Sequence, residues 1–249
     1  MNAEIESASA ALRAAIPQAT RDPLRPRYHF LPPANWMNDP NGTIFVRGEY
    51  HLFYQLNPYR AKWGQIHWGH ARSRDLVCWE HLPIALAPAR HLGEKHCFSG
   101  CCVDDGGQPA ILYTSVGSRL GALNALLGAQ QWMAVGDDTL CHWRRLPENP
   151  ILDQSLHGGR KIYDWRDPFV WHGDGGWFML LVGKYFGERF GSVFLYWSTD
   201  LRSREFKGRM CRGDSSLGKT WECANLLRFG KRDMLVVSSN IPRVSYCLL

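Results

Sequence analysis

Apolar and polar positions follow two rhythms along this chain. Over residues 2–16 alanines alternate with Ile5, Leu12 and Ile16 as far as Pro17, which predicts one short helix ending there. Residues 21–33 are proline-rich and read as an extended lead-in, not a core element. From Tyr28 onward the apolar residues fall into short runs separated by Gly, Asn, Asp and Pro. That pattern predicts strands and turns, with no helix longer than a few turns. The first run is Thr43-Ile44-Phe45-Val46. Ahead of it Asp39-Pro40 and Asn41-Gly42 are turn dipeptides, which places Asp39 where a loop enters a first strand. An Asp at such a turn ordinarily does no more than cap it.

The strands repeat. Ser73-Arg74-Asp75-Leu76-Val77-Cys78-Trp79 leads to Leu82-Pro83, and Gly136-Asp137-Asp138-Thr139-Leu140-Cys141-His142-Trp143 leads to Leu146-Pro147; Ser198-Thr199-Asp200-Leu201 leads to Phe206. Asp75, Asp138 and Asp200 are thus 63 and 62 residues apart. Cys78 and Cys141, each three residues after its Asp, read as a repeated core position. Asp39-Pro40 and Asp167-Pro168, 128 residues apart, keep the same beat over two repeats. Short strands at constant period without helices predict an all-β fold, a β-propeller of four-stranded blades. The first strand of each blade lines the channel of such a fold, so acids distant in sequence meet there. Counted from residue 29 the chain holds roughly three and a half units, with Leu235-Val236-Val237 a strand of the fourth, against about 4–8 blades in closed propellers. Residues 1–28 are therefore expected as helix and lead-in, and residues 29–249 as part of a propeller.

Composition adds exclusions. A chain of 249 residues suffices for one all-β domain. The net charge of +6 is spread out, with no basic run interleaved with aromatics, so nucleic acid is not expected as a partner. The 11 tryptophans serve cores, sheets and sugar faces equally well. Glu4, Glu6 and Arg13 interrupt the opening apolar residues, and no stretch approaches the length of a membrane span. A cytoplasmic protein without a membrane partner is expected, and its eight cysteines mostly as buried thiols. Cys97, Cys101 and Cys102 lack a second pair at zinc-site spacing, and His67 and His70 fall on opposite faces of a strand; no metal and no cofactor is expected. Asn41-Gly42-Thr43 is a glycosylation sequon by pattern only. Oligomeric state is not legible.

Several short words point to chemistry. They are Trp36-Met37-Asn38-Asp39-Pro40-Asn41-Gly42, Phe53-Tyr54-Gln55-Leu56-Asn57-Pro58, Trp63-Gly64, Trp68-Gly69-His70-Ala71, Phe98-Ser99-Gly100, Trp165-Arg166-Asp167-Pro168 and Trp221-Glu222-Cys223. In this order they resemble the motifs of the β-fructofuranosidases of glycosyl hydrolase family 32: invertases, levanases, inulinases and sucrose-6-phosphate hydrolases. The resemblance implies a five-bladed propeller followed by a β-sandwich. This chain would cover the first half or slightly more, an incomplete propeller without the sandwich. It also implies a metal-independent retaining glycosidase whose partner is a small sugar: sucrose, phosphorylated sucrose or a small fructan.

Such an enzyme needs two carboxyls about 5–5.5 Å apart. Asp39 matches the nucleophile. Glu222 matches the general acid/base, and its apolar neighbours Trp221 and Cys223 are of the kind that favour holding a proton there. Asp167 matches the third acid, which bonds fructosyl hydroxyls and stabilises an oxocarbenium-like transition state, with Arg166 as its ion-pair partner. Asn38, Gln55, Trp63, Phe98 and Ser99 match the lining of the fructose subsite; Trp68 fits core or pocket. The family continues Glu-Cys with Pro and an acid, where this chain has Ala224 and Asn225, which predicts a less fixed backbone after Glu222. Cys101 and Cys102, following Phe98-Ser99-Gly100, are expected in the core.

Gly213-Asp214-Ser215-Ser216-Leu217-Gly218-Lys219-Thr220 fits the Walker A pattern, and residues 221–229 could pass for the helix after it. The run before it is a poor buried strand, and Leu235-Val236-Val237-Ser238-Ser239 ends in serine where a magnesium-binding Asp is wanted, so no nucleotide site is expected. Three other readings stay open. One is a fragment that binds sugar without turnover or associates through open sheet edges. Another is a fructosyltransferase using the same acids. The last is an inverting arabinosidase with carboxyls about 6.5–9.5 Å apart, against which the Trp36–Gly42 stretch speaks.

Overall fold

A computed structural model of the chain describes residues 3–117, 128–239 and, for the backbone alone, 243–248. The helix α1 (Ala3–Arg21) precedes the strands. The first sheet contains β1 (Trp36–Val46), β2 (Glu49–Asn57), β3 (His67–Ser73) and β4 (Glu80–Leu86); the second contains β5 (Glu94–Asp105), β6 (Gln108–Gly117), β7 (Gln130–Gly136) and β8 (Trp143–Arg145). The third contains β9 (Ile162–Gly173), β10 (Gly176–Tyr185), β11 (Ser192–Ser198) and β12 (Glu205–Arg212), and the last β13 (Trp221–Phe229), β14 (Arg232–Ser239) and β15 (Arg243–Leu248). Sequence neighbours pair in every sheet, so three four-stranded blades and three strands of a further one make up the described residues, as the repeat predicts. The strands that open the sheets carry Asn38 and Asp39, then Phe98 and Ser99, then Arg166 and Asp167, then Glu222. The chain divides into two compact units, Met1–Phe98 with Cys102–Ile111 and Ala134–Arg144, and Ser99–Cys101 with Leu112–Met133 and Arg145–Leu249.

In the first unit α1 does not stop at Pro17 but continues to Arg21. Proline removes one helix hydrogen bond. Packing holds the last turns all the same: Ile5, Ala8, Leu12, Ala15, Ile16 and Ala19 lie against a cluster that includes Tyr54, Leu56, Ala71 and Ile84. The lead-in also contributes to this core, because Phe30 meets Tyr54 and Trp79 edge to face at 5.3 and 5.4 Å. Asp39 is not in a loop ahead of the first strand. β1 already pairs at Trp36 and Met37, then shifts register before Pro40 and again between Asn41 and Ile44. Asp39 lies in the first interruption, and Gly42, with φ 51°, in the second. Asp-Pro and Asn-Gly, read as turns, form β-bulges within one long strand. His67 and His70 take different partners, Nδ1 of His67 the carbonyl of Gln65 at 2.6 Å and Nε2 of His70 the Nδ1 of His51 at 3.0 Å.

The repeat is a turn with a carboxylate at its centre. Asp75 Oδ1 accepts the N–H groups of Val77 and Cys78, and Asp200 Oδ1 those of Arg202 and Ser203. In the second blade Asp137 does this for Thr139, Cys141 and His142. Asp138, the residue in register by sequence, instead pairs with Arg47 at 3.2 Å on the surface. Two extra residues separate Asp137 from its leucine, and a period cannot tell adjacent aspartates apart. Leu76, Leu140 and Leu201 adopt left-handed φ of 62°, 55° and 62° in the three turns. Their carbonyls accept from Trp79 Nε1, Trp143 Nε1 and Arg204 Nη2, each three residues on. Cys78 is exposed and Cys141 half-buried, and in both turns the backbone N–H of the cysteine donates to the capping aspartate. Cys97, Cys101 and Cys102 are buried, Cys211 and Cys223 half-buried, so fewer thiols than expected lie in the core.

In the second unit Leu180, Val182 and Val193 of the third sheet pack against Trp221, Ala224, Leu235 and Val237 of the last. The Trp221 ring fits only because Gly191 and Gly213 lie beside it; a Cβ on either would come within 2.6 or 2.4 Å of the indole. The first glycine of the Walker-like run thus packs against an indole. Residues 221–229 are strand β13, so the helix N-terminus that would bind phosphate is not there.

Candidate active site

β9 is bent where its candidate residues lie. Its register with β10 shifts on both sides of Val182, the partner of Arg166. Asp164 and Asp167 take left-handed φ of 54° and 60°, conformations that persist in non-glycine residues only when the surroundings impose them. From one side Trp165 Nε1 donates to the Tyr196 hydroxyl at 3.0 Å, and that hydroxyl meets His157 Nε2 at 2.8 Å. Burial pushes the His157 imidazole down to about 4, so it stays neutral and accepts the tyrosine proton. Its Nδ1 then donates to Gln154 Oε1 at 3.2 Å. From the other side the Asp167 N–H donates to Thr114 Oγ1 at 2.9 Å, and the Thr114 hydroxyl to Gln131 Oε1 at 2.7 Å.

Held in this way, Arg166 is the hub of an acid cluster. Its Nη2 meets Glu222 Oε1 at 2.6 Å, its Nη1 Asp164 Oδ1 at 2.9 Å, and its Nε lies 3.6 Å from Asp167 Oδ2. Burial pushes the guanidinium down, but Asp167, Asp164 and Glu222 push it up by more, so it sits above its ordinary value as a permanent cation. Lys184 adds a second cation 3.8 Å from Asp164 Oδ2.

Glu222 arrives on β13 beside a further bulge, between Glu222 and Asn225, where Cys223 has φ 50°. That bulge turns the Cys223 N–H onto Asp167 Oδ2 at 3.0 Å, tying the third and last sheets together at the cluster. The segment after Glu222 is not loose: Asn225 Nδ2 donates to the Cys223 carbonyl at 2.8 Å, and Ala224 is buried. The apolar surroundings expected for Glu222 are not found. Its side chain is 56% exposed and meets Arg166, because strand alternation sends the Trp221 indole into the core on the opposite face.

Within the first unit, Asn38 is exposed and Asp39 half-buried on β1, and Gln55 is buried on β2, paired across the ladder with Trp68. Trp68 is core, its Nε1 donating to the Phe98 carbonyl at 3.0 Å. Trp63 is 53% exposed, stacked on His96 with centroids 5.1 Å apart and edge-on to Phe98 at 6.3 Å. Ser99, which belongs to the second unit, is buried on β5. The structure thus joins Arg166, Asp167 and Glu222 in one group and Trp63 with Phe98 in another. Sequence reading missed Asp164, Thr114, Lys184 and His96. Asp164 had a signal, since two residues before Arg166 on a strand means the same face; Thr114 and Lys184 stand on other strands and had none. Among the described residues no three His, Cys, Asp or Glu side chains are grouped to hold a metal ion, and no helix is long and apolar enough to cross a membrane.

Comparison with known proteins places this geometry. The sequence model of the glycosyl hydrolases family 32 N-terminal domain matches residues 29–246. A sucrose-6-phosphate hydrolase of Zymomonas mobilis is 40% identical over 223 residues, which cover 86% of this chain and 42% of the relative. A levanase of Bacillus subtilis is 39% identical over 207 residues, covering 81% of this chain and 28% of the relative. Among solved structures, a Bombyx mori β-fructofuranosidase in complex with sucrose superposes with a TM-score of 0.82 at 31% identity, over 98% of this chain and 51% of that one. The chain spans less than half the length of the curated relatives it matches. Motif order, blade repeat and superposition agree, and the chain belongs to glycosyl hydrolase family 32, carrying the family's N-terminal propeller region.

Proposed function

We propose that the protein is a retaining glycosidase acting on β-fructofuranosides, with sucrose or sucrose 6-phosphate as substrate. The observation that carries this reading is the Arg166 cluster, in which one buried guanidinium joins Asp164, Asp167 and Glu222 across the opening strands of two sheets. Asp39 attacks the anomeric carbon of the fructosyl unit while Glu222 gives its proton to the leaving oxygen, forming a covalent fructosyl-enzyme. Glu222 then takes a proton from water, whose oxygen displaces Asp39 and releases fructose. Asp167 supports the positive charge that develops at the ring, held in aim by Arg166 and Cys223. Asn38, Gln55 and Ser99 supply hydrogen-bonding groups to the sugar, and Trp63 and Phe98 supply rings.

The phosphorylated substrate is supported by the names of relatives, sucrose-6-phosphate hydrolases of Zymomonas mobilis and Lactobacillus gasseri. A cytoplasmic setting belongs to the same reading, supported by seven described cysteines that are all free thiols. The deciding experiment follows glucose release from sucrose, and glucose 6-phosphate release from sucrose 6-phosphate, by the purified chain beside Asp39→Ala. Turnover by the wild type alone is the expected result. Equal absence of turnover in both would reduce the chain to a fragment without hydrolase activity.

A further inference from the structure

Trp63 stands 53% exposed on the segment 58–66 between β2 and β3, next to Gly64 at φ 134° and Gln65 at φ 46°. A large ring on such a segment loses freedom when a ligand orders it, which weakens binding unless something orders it beforehand. His96 of β5 does so in two ways. Its imidazole stacks on the indole, with centroids 5.1 Å apart and planes 28° apart. Its Nδ1 accepts the backbone N–H of Ile66 at 3.3 Å, closing the end of the segment. The next residue, Cys97, donates its N–H to the Ile66 carbonyl at 3.0 Å, and Arg90 Nη2 donates to Gln65 Oε1 at 2.8 Å. Phe98 borders the pair, 5.8 Å from His96 and 6.3 Å from Trp63.

An accepting Nδ1 requires a neutral imidazole with its proton on Nε2. Burial, with Lys95 and Arg90 beside the ring, pushes His96 below its ordinary value and favours that form. His96 lies in none of the motif words, which pass from Trp63-Gly64 to Phe98-Ser99-Gly100.

We propose that His96 is a positioning residue for substrate: it holds the Trp63 indole as a preformed platform whose other face takes the C–H face of a sugar ring. This rests on the reading of Trp63 as lining of the sugar site. The two contacts are separable. His96→Phe keeps a ring and loses the acceptor, His96→Asn keeps an acceptor and loses the ring, and His96→Ala loses both.

The experiment measures KM and kcat for sucrose hydrolysis in the wild type and the three variants, with the Kd for sucrose by calorimetry and the Tm of each. His96→Ala is expected to raise KM and Kd roughly tenfold with kcat within about twofold, as lost preorganisation does. His96→Phe and His96→Asn are expected to recover roughly threefold of that each. A His96→Ala protein with KM and Kd unchanged, or one that loses kcat at constant KM, would overturn the assignment while leaving the proposed function intact. A wild type that binds sucrose without turnover still decides the matter through Kd. A wild type that neither binds nor cleaves sucrose overturns the proposed function, and the role of His96 with it.

Discussion

Asp39 and Asp167 are written alike, each an Asp-Pro pair on the strand that opens a sheet, yet the fold treats them differently. Asp167 is buried, in left-handed backbone, with its N–H on Thr114, its Oδ2 under the Cys223 N–H and Arg166 alongside. Asp39 is half-buried in a bulge of β1, at the first of that strand's two shifts of register. A carboxylate that only stabilises developing charge works best when immobilised before the substrate arrives. A nucleophile must close on carbon and leave again, which suits the more accessible position. Under the proposed function the same dipeptide serves two roles, and the difference lies in the neighbours.

Substitution tests that contrast directly. Asp39→Asn is expected to lower kcat by about 10³-fold or more while shifting stability by no more than about 0.5 kcal/mol. Asp167→Asn is expected to cost roughly 10²–10³-fold in kcat and, in contrast, to lower Tm, because an amide no longer balances the buried Arg166 charge. Steady-state kinetics beside thermal melts would break the comparison if Asp39→Asn proved the less stable protein. Thr114→Val removes the acceptor of the Asp167 N–H and is expected to cost about 1–3 kcal/mol, read as a lower urea midpoint. An unchanged midpoint would mean that the left-handed turn at Asp167 does not depend on its bed.

The smallest effect at neutral pH is electrostatic. Burial pushes His51, His70, His81, His96 and His157 below their ordinary values, His157 to about 4. Their neutral forms are kept in the fold, whereas the unfolded chain takes up protons near 6.5. Stability is therefore full above about pH 6.5 and declines as pH falls toward 4. The carboxylate shifts, such as Asp75 lowered to about 2 by the N–H groups of Cys78 and Val77, act in the same direction but only from about pH 5 downward. Urea midpoints at pH 7.5, 5.5 and 4.5 should fall in that order, and a flat series would show that these rings do not stay neutral.

Much of this was legible in the chain. Strand and turn composition predicts the all-β fold, and the period near 63 residues predicts blades and the position of the acids on their opening strands. What failed was local. Pro17 does not end α1, because the burial of Ala15, Ile16 and Ala19 outweighs one lost hydrogen bond. Asp138 is not the repeated aspartate, because only Asp137 caps the turn. Glu222 does not sit among apolar side chains, because a strand shows successive residues to opposite faces.

The sequence by itself determined the element types and the repeat, since these depend on composition and spacing along the chain. Only the tertiary structure decided that Arg166 gathers Asp164, Asp167 and Glu222, that the Asp167 backbone is held by Thr114 and Cys223, and that Trp63 rests on His96. Those contacts join residues 33 to 56 positions apart, apart from Asp164 with Arg166 and Arg166 with Asp167. Their geometry follows from bulges and left-handed residues, which a hydrophobic pattern does not encode.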